Sequence, residues 1–175
     1  MRSRLASPST RLALAAVTAA ALTAAATAAA HAAADSRGPV TRACVTDDLS
    51  FGVTSGTQAG GHLLLIAKAR PGITCHLPGV FPSASFGSSA DTEVGPAEHA
   101  VGEGVTLSGS RAAYAGINPK TTADEHGKQF DRLHLSVLGD ESNSVTLKLP
   151  ETVTVDRPVA TNWHADPADA VPLSA

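Results

Sequence analysis

Methionine is nearly missing from this chain: Met1 is the only one. A soft-metal carrier of the copper-chaperone kind draws on thioether sulfur, so that class has little to work with here. Aromatic residues are scarce as well, and Phe51, Phe81, Phe86, Tyr114, Phe130 and Trp163 are all of them. Six scattered rings are thin material for a base-stacking platform or a sugar-binding face. No basic excess exists either: 13 Lys and Arg stand against 16 Asp and Glu, a formal net charge of −3. That balance argues against nucleic acid or anionic lipid as the main partner. Beyond residue 34 no segment sustains a 3.6-residue apolar period, and no internal repeat is visible. There is no Gly-x-Ser-x-Gly elbow for a serine hydrolase, and no glycine cluster precedes a helix to cradle a phosphate. A Ser-His-Asp set can still assemble from distant positions.

What is present starts with a leader. Arg2, Arg4 and Arg11 precede or open a stretch, residues 12–34, that holds 15 alanines with Leu12, Leu14, Val17 and Leu22 among them. Small-x-small sites recur at 28–30, 30–32 and 32–34. A basic start, an apolar middle and an alanine-type site predict a secretory signal peptide, cleaved after Ala34. A retained membrane anchor is the alternative, since the segment is nearly long enough to span. Alanine and threonine partition weakly into lipid, however, and His31 interrupts its end. Removing 34 of the 175 residues leaves 141, and removing three basic residues and no acid takes the net charge from −3 to −6. A single domain of that size buries roughly two-thirds of its unfolded surface, enough for a real core. The expected organisation is a signal peptide at 1–34, a flexible lead at 35–41, a β-sandwich domain at 42–165 and a loose C-terminal tail at 166–175.

Both cysteines, Cys44 and Cys75, fall in the exported part. In an oxidising compartment an even pair is most simply a disulfide. Two free thiols, or a zinc site completed by histidines, are the alternatives. Between the cysteines lies the strongest apolar run outside the leader, Leu63 to Ala67, apolar on both faces as a strand in the middle of a sandwich is. Residues 49–54 alternate apolar and polar ahead of it, and Gly60-Gly61 supplies the turn. After Cys75, Pro78 and Pro82 punctuate a short piece that fits an edge or a connector, because proline cannot donate to a ladder. Strands are expected near 83–86, 105–107 and 112–117. The clearest alternation comes later, with Leu133, Leu135 and Val137, then Val145, Leu147 and Leu149, then Val153 and Val155. Residues 140–143 form a hairpin linker between the first two of these. This last pair, with 49–54, is expected to flank the 63–67 strand. Short alternating strands separated by turns predict an all-β fold, an antiparallel sandwich.

The run Cys44-x3-Asp48-Leu49, then the apolar strand, then Cys75-x-Leu77-x-Gly79 and Phe81-Pro82, resembles a known family. It is similar to domain of unknown function 4232, found in secreted and lipid-anchored proteins of actinobacteria, over residues 42–165. In that family one cysteine opens the domain and the second begins a Cys-x-Leu-x-Gly-Tyr-Pro-like segment. Here Val80-Phe81 stands in place of the tyrosine, Lys68 and Ala69 occupy the place of a usual asparagine, and no second cysteine pair follows. The resemblance implies an immunoglobulin-like β-sandwich and a Cys44–Cys75 signature, and it implies no known activity.

Six histidines remain beyond the leader: His62, His76, His99, His126, His134 and His164. None forms a His-x-His or His-x3-His pair, although His62 and His76 flank the apolar strand and could approach in space. Asp47-Asp48 and Asp140-Glu141 are paired acids at turns, where acids cap or solvate, and they lack calcium-loop spacing. Asp91, Glu93, Glu98 and Glu103 keep a long loop solvated. The expectation is a secreted, extracellular, non-catalytic module: no enzyme, no cofactor, no metal. It acts as a monomer without membrane contact after cleavage. Its partner is an extracellular protein or cell-wall ligand met through the loops at 87–104 and 118–129. One alternative is a secreted enzyme or metal carrier using loop histidines. Another is a secreted protease inhibitor whose exposed segment, 71–75, is clamped by Cys75.

Overall fold

Leucine, isoleucine and alanine run along β2 (His62–Ala69) so that Leu63, Leu65, Ala67 and Ala69 point into the core, while Leu64 and Ile66 are half-buried on the opposite face. The period of two is that of a pleated strand, and it divides this apolar run into an inner and an outer row. The computed structural model describes residues 41–57 and 61–172. The expected signal peptide, its cleavage after Ala34 and the lead as far as residue 40 lie outside the described residues. Within them every regular element is a strand or a single 3-10 turn, and no helix is long and apolar enough to cross a membrane.

The strands are β1 (Leu49–Gly56), β2, β3 (Thr74–Gly79), β4 (Ser83–Ser85) and β5 (Gly95–Pro96), followed by β6 (Gly102–Ser108), β7 (Ala112–Asn118), β8 (Lys128–Ser136), β9 (Val145–Val155) and β10 (Val159–Ala160). They form a five-stranded sheet in the order β1-β2-β7-β10-β5, a three-stranded sheet β4-β8-β9 and a two-stranded sheet β3-β6. Every pairing between these strands is antiparallel except β10 with β5. Leu65 and Ala115 from the first sheet, Leu133 and Leu135 from the second, and Leu77 and Leu107 from the third meet in one core. The expected all-β sandwich is therefore what the chain forms. Register sets its inner rows. Leu63 stands opposite Ile117, Leu65 lies between Val53 and Ala115, and Ala67 lies between Phe51 and Ala113. The Phe51 ring meets Trp163 at 6.4 Å between centroids.

Two expectations need correction. The second neighbour of β2 is β7, and not the strands around Leu133 and Leu147, which belong to the separate β4-β8-β9 sheet. Apolar residues on both faces mark β2, and β7 shares that character through Tyr114 and Ile117. In contrast β8 and β9 carry Arg132, His134, Thr146 and Lys148 on a polar outer face. A two-faced strand belongs inside a sheet whose outer side is also covered. The cover is the second correction. In the tail expected to be loose from residue 166, residues 166–169 are exposed, but Ala170 is fully buried and Pro172 is buried. The tail crosses the outer face at Gly116, where any Cβ would collide with the Ala170 carbonyl.

The proline-punctuated piece after Cys75 is a true strand, β3, and its register against β6 slips between Leu77 and Gly79, at Pro78. Proline has no N–H for the ladder, so the slip falls where a donor is missing. Likewise β9 runs through Pro150 in an outer, edge position. Opposite Asp131 of β8 it makes a detour, because Arg132 pairs with Lys148 while Phe130 pairs with Val153.

Candidate functional site

The signature residues are fully engaged in holding the domain together. Cys44 and Cys75 form a disulfide with an S–S distance of 2.08 Å, closing a sequence separation of 31. Beside it the chain lies parallel to β3: the Cys44 N–H donates to the His76 carbonyl at 2.9 Å, and the His76 N–H to the Arg42 carbonyl at 2.8 Å. Asp48 closes this turn. Its carboxylate accepts Arg42 Nη1 at 2.5 Å, Arg42 Nη2 at 2.7 Å and the Val45 N–H at 2.9 Å. Thr46 then docks on the β8–β9 hairpin. Its N–H donates to Asp140 Oδ2 at 2.7 Å, and its hydroxyl accepts the Val137 N–H at 3.1 Å. Asp140 and Glu141 also accept turn donors, Asn143 Nδ2 at 2.7 Å and the Gly139 N–H at 2.8 Å.

These carboxylates titrate low. The Arg42 guanidinium holds Asp48 below its ordinary range, and the Thr46 N–H does the same for Asp140. The Gly139 N–H lowers Glu141, and Ser89 with Lys128 lowers Asp91. Hydrogen bonding to Lys120 pulls Asp124 down to about 2. A carboxylate whose folded pKa is depressed adds stability above its unfolded pKa, near 4, and loses it as pH falls through the folded value. The melting temperature is expected to be level from about pH 7 to pH 5, then to fall steadily from about pH 4 toward pH 2. A thermal-melt series in matched ionic strength checks this, and a profile flat to pH 2 overturns it.

The six histidines are dispersed over different elements. His76 Nδ1 lies 3.4 Å from Thr106 Oγ1 across the β3–β6 ladder, and His134 Nδ1 lies 3.0 Å from Thr146 Oγ1 across β8–β9. His164 Nε2 meets Glu98 Oε1 at 3.0 Å, and His126 Nδ1 lies 3.3 Å from Asp124. His62 is buried at the β1–β2 hairpin, where its ring lies over Gly56, in a different sheet from His76. His99 sits on the 87–104 loop. Among the described residues no three His, Cys, Asp or Glu side chains gather where a metal ion could be held. The 71–75 segment begins as a hydrogen-bonded reverse turn, with the Ile73 N–H on the Arg70 carbonyl at 3.0 Å, and leads directly into β3.

The two long loops differ. The 119–127 loop is knotted around one ammonium. Lys120 Nζ donates to Thr122 Oγ1 at 2.5 Å, the His126 carbonyl at 2.6 Å and Asp124 Oδ1 at 3.0 Å. Asp156 adds a second carboxylate at 3.6 Å. The 87–104 segment, expected as one long loop, is instead tied back along much of its length: it contains β5 and the start of β6, the Ala97 N–H donates to the Ala160 carbonyl at 2.7 Å, and Asn162 Nδ2 donates to the Ala100 carbonyl at 2.7 Å. Thr92 and Val94 are buried, and the Val94 N–H bonds the Ala84 carbonyl at 2.9 Å.

Between that loop, β4 and the end of β8 runs a continuous groove. One end is a polar cavity of about 430 Å³ whose walls include Ser83, Ser85, Glu93, His134 and Glu141. It shares Ser83, Ala84, Glu93 and Glu141 with a middle cavity of about 580 Å³. The middle shares Phe81, Pro96 and Leu138 with an apolar cavity of about 220 Å³, closed by Val101 and His99. Leu138 is 44% exposed and Val101 74% exposed, two of the few large apolar side chains so placed. Singly they would carry no meaning; lining one concavity together, they form a patch that expects cover. Among the described residues no lysine or arginine lines any of the three cavities. The Glu93 carboxylate has no hydrogen-bond or ion-pair partner among the described residues, whereas the neighbouring Asp91 is paired with Lys128 at 2.9 Å. Sequence reasoning placed the 87–104 loop but missed Leu138 and Val101. Their signal was an apolar residue where the pattern called for a polar one: Leu138 directly after inward-facing Val137, and Val101 exposed in a polar segment whose other valine, Val94, is buried.

A family model described as "Domain of unknown function (DUF4232)" matches residues 44–164. No curated protein and no solved structure matches the chain.

Proposed function

The chain belongs to the family of domains of unknown function 4232, and from that premise we propose that it is a secreted, non-catalytic interaction module that holds an extracellular partner in the groove beside the 87–104 loop. The observation that carries this reading is the continuity of the groove. Three cavities with shared walls join an exposed apolar end to a polar, acidic end. A surface that is both concave and partly apolar suits recognition. The internal disulfide suits an oxidising compartment outside the cytoplasm, as the basic, alanine-rich leader does. Loops carried on a stapled scaffold are where binding residues concentrate. The module acts as a single copy, and its chemistry is contact rather than turnover.

The test uses the protein recovered from culture medium. Intact mass is expected to show loss of residues 1–34 and a deficit of two hydrogens for the disulfide. The same protein, immobilised, is expected to retain a partner from culture supernatant or cell-wall extract, and a Leu138→Asp bait of equal thermal stability is expected to lose it. A partner held equally by both baits places binding elsewhere on the surface and sinks the groove reading.

A further inference from the structure

We infer that the groove takes an extended peptide segment of a partner protein, in which a lysine or arginine side chain faces Glu93 and Glu141 and a neighbouring apolar side chain fills the cavity at Phe81, Val101 and Leu138. This rests on the binding role proposed above and names the chemistry of its occupant. Three lines on the surface point to it. The groove is open and runs through three cavities with shared walls, which suits a strand-like segment laid along it. Its charge has one sign. Glu93 and Glu141 stand in the walls shared by the polar and middle cavities, no lysine or arginine among the described residues lines them, and the nearby Lys128 is committed to Asp91. Glu93 has no counter-charge of its own among the described residues, so an incoming cation meets an unneutralised carboxylate. The apolar end lies directly beside these acids, because Leu138 and Glu141 line the same middle cavity.

A glycan fits less well. Among the described residues Phe81 is the only Phe, Tyr or Trp lining the groove, and saccharide sites are built on flat ring surfaces. The acids also suit a cationic side chain better than a bare metal ion, since the described residues hold no cluster of three ligating side chains.

The probes are three synthetic octapeptides, Gly-Ser-Leu-Lys-Leu-Lys-Gly-Ser and its versions with both lysines replaced by glutamate or by serine, together with chitotriose. Amide shifts of the isotope-labelled secreted protein are followed during titration. The lysine peptide is expected to move the signals of residues 93–101 and 138–141, to bind more weakly as salt rises, and to outbind the serine peptide by about tenfold. The glutamate peptide is expected to leave these signals unmoved. Glu93→Gln, which breaks no side-chain hydrogen bond among the described residues, is expected to weaken the lysine peptide several-fold, and Glu93→Lys to abolish its binding. Equal binding of all three peptides, shifts confined to other surfaces, no shifts at all, or groove shifts with chitotriose alone each overturn the inference. If Leu138→Asp still abolishes partner capture while the lysine peptide fails, the binding role stands and only the peptide chemistry is wrong. If capture ignores Leu138→Asp, the binding role itself has failed.

Discussion

Replacing Cys44 and Cys75 together by alanine is expected to lower the unfolding free energy by about 3–4 kcal/mol, on the chain-entropy model for a loop of this length. The bridge joins residues 31 apart in sequence, and most of its effect lies in the unfolded chain, which it keeps from opening. In the folded state the same two segments are already held by the Cys44 and His76 backbone bonds and by the Arg42–Asp48 pair. The double variant should therefore keep its fold and its core while losing midpoint in urea. With the cross-link gone the unfolded chain exposes more surface, so the denaturant slope should rise slightly. Chemical denaturation of the oxidised protein against the double variant measures both quantities. An unchanged midpoint would mean that the bridge constrains nothing the backbone ladder does not already constrain.

The second large effect is expected at Gly79, where alanine should cost on the order of 3 kcal/mol as overpacking against fixed backbone. A Cβ there would lie 2.5 Å from the carbonyl carbon and oxygen of Gly102 and 2.6 Å from the Gly104 nitrogen. No side chain can swing aside to relieve this, because all three atoms belong to the backbone of β6. Relief requires β3 and β6 to separate at the register slip, next to the disulfide and the fully buried Leu77. Gly52→Ala is the matched control, since no heavy atom lies within 4 Å of its Cβ position, and its effect should stay within about 0.5 kcal/mol. Gly79→Ala melting with Gly52→Ala would show that the slip yields without cost.

Both predictions fall on the family signature, and the structure explains why that signature is legible. Cys44, Asp48, Cys75, Leu77 and Gly79 are read easily because each has a single local role, whether as a covalent tie, a turn clamp, a core contact or a point where two strands approach closely. Alternation exposes β1, β8 and β9 for the same reason, since a half-buried strand writes its period into consecutive residues. Neighbours are harder. A period of two says which side chains point inward but not which strand lies alongside, so the pattern does not show β7 as the partner of β2. The two-residue strands β5 and β10 are too short to show any period, though they complete the large sheet. The tail reads as loose because prolines and alanines carry no pattern, and the feature that receives them is an absent side chain at Gly116. The groove is invisible for a further reason. Its walls come from β4, the 87–104 loop and the turn after β8, and only folding brings Phe81, Glu93 and Leu138 together.

The outer edge of β9 has a bearing on how such a domain survives at high local concentration. It is an edge strand of eleven residues, long enough to template pairing with a strand from another molecule. Pro150 removes one donor from the middle of that edge, the detour opposite Asp131 bends it, and the exposed Lys148 places a charge beside the break. Without its prolyl ring and its kink this border would be the natural starting point for amyloid-like stacking. The irregularity that makes β9 look like two strands in the sequence thus also interrupts the edge along which a strand from another molecule would pair.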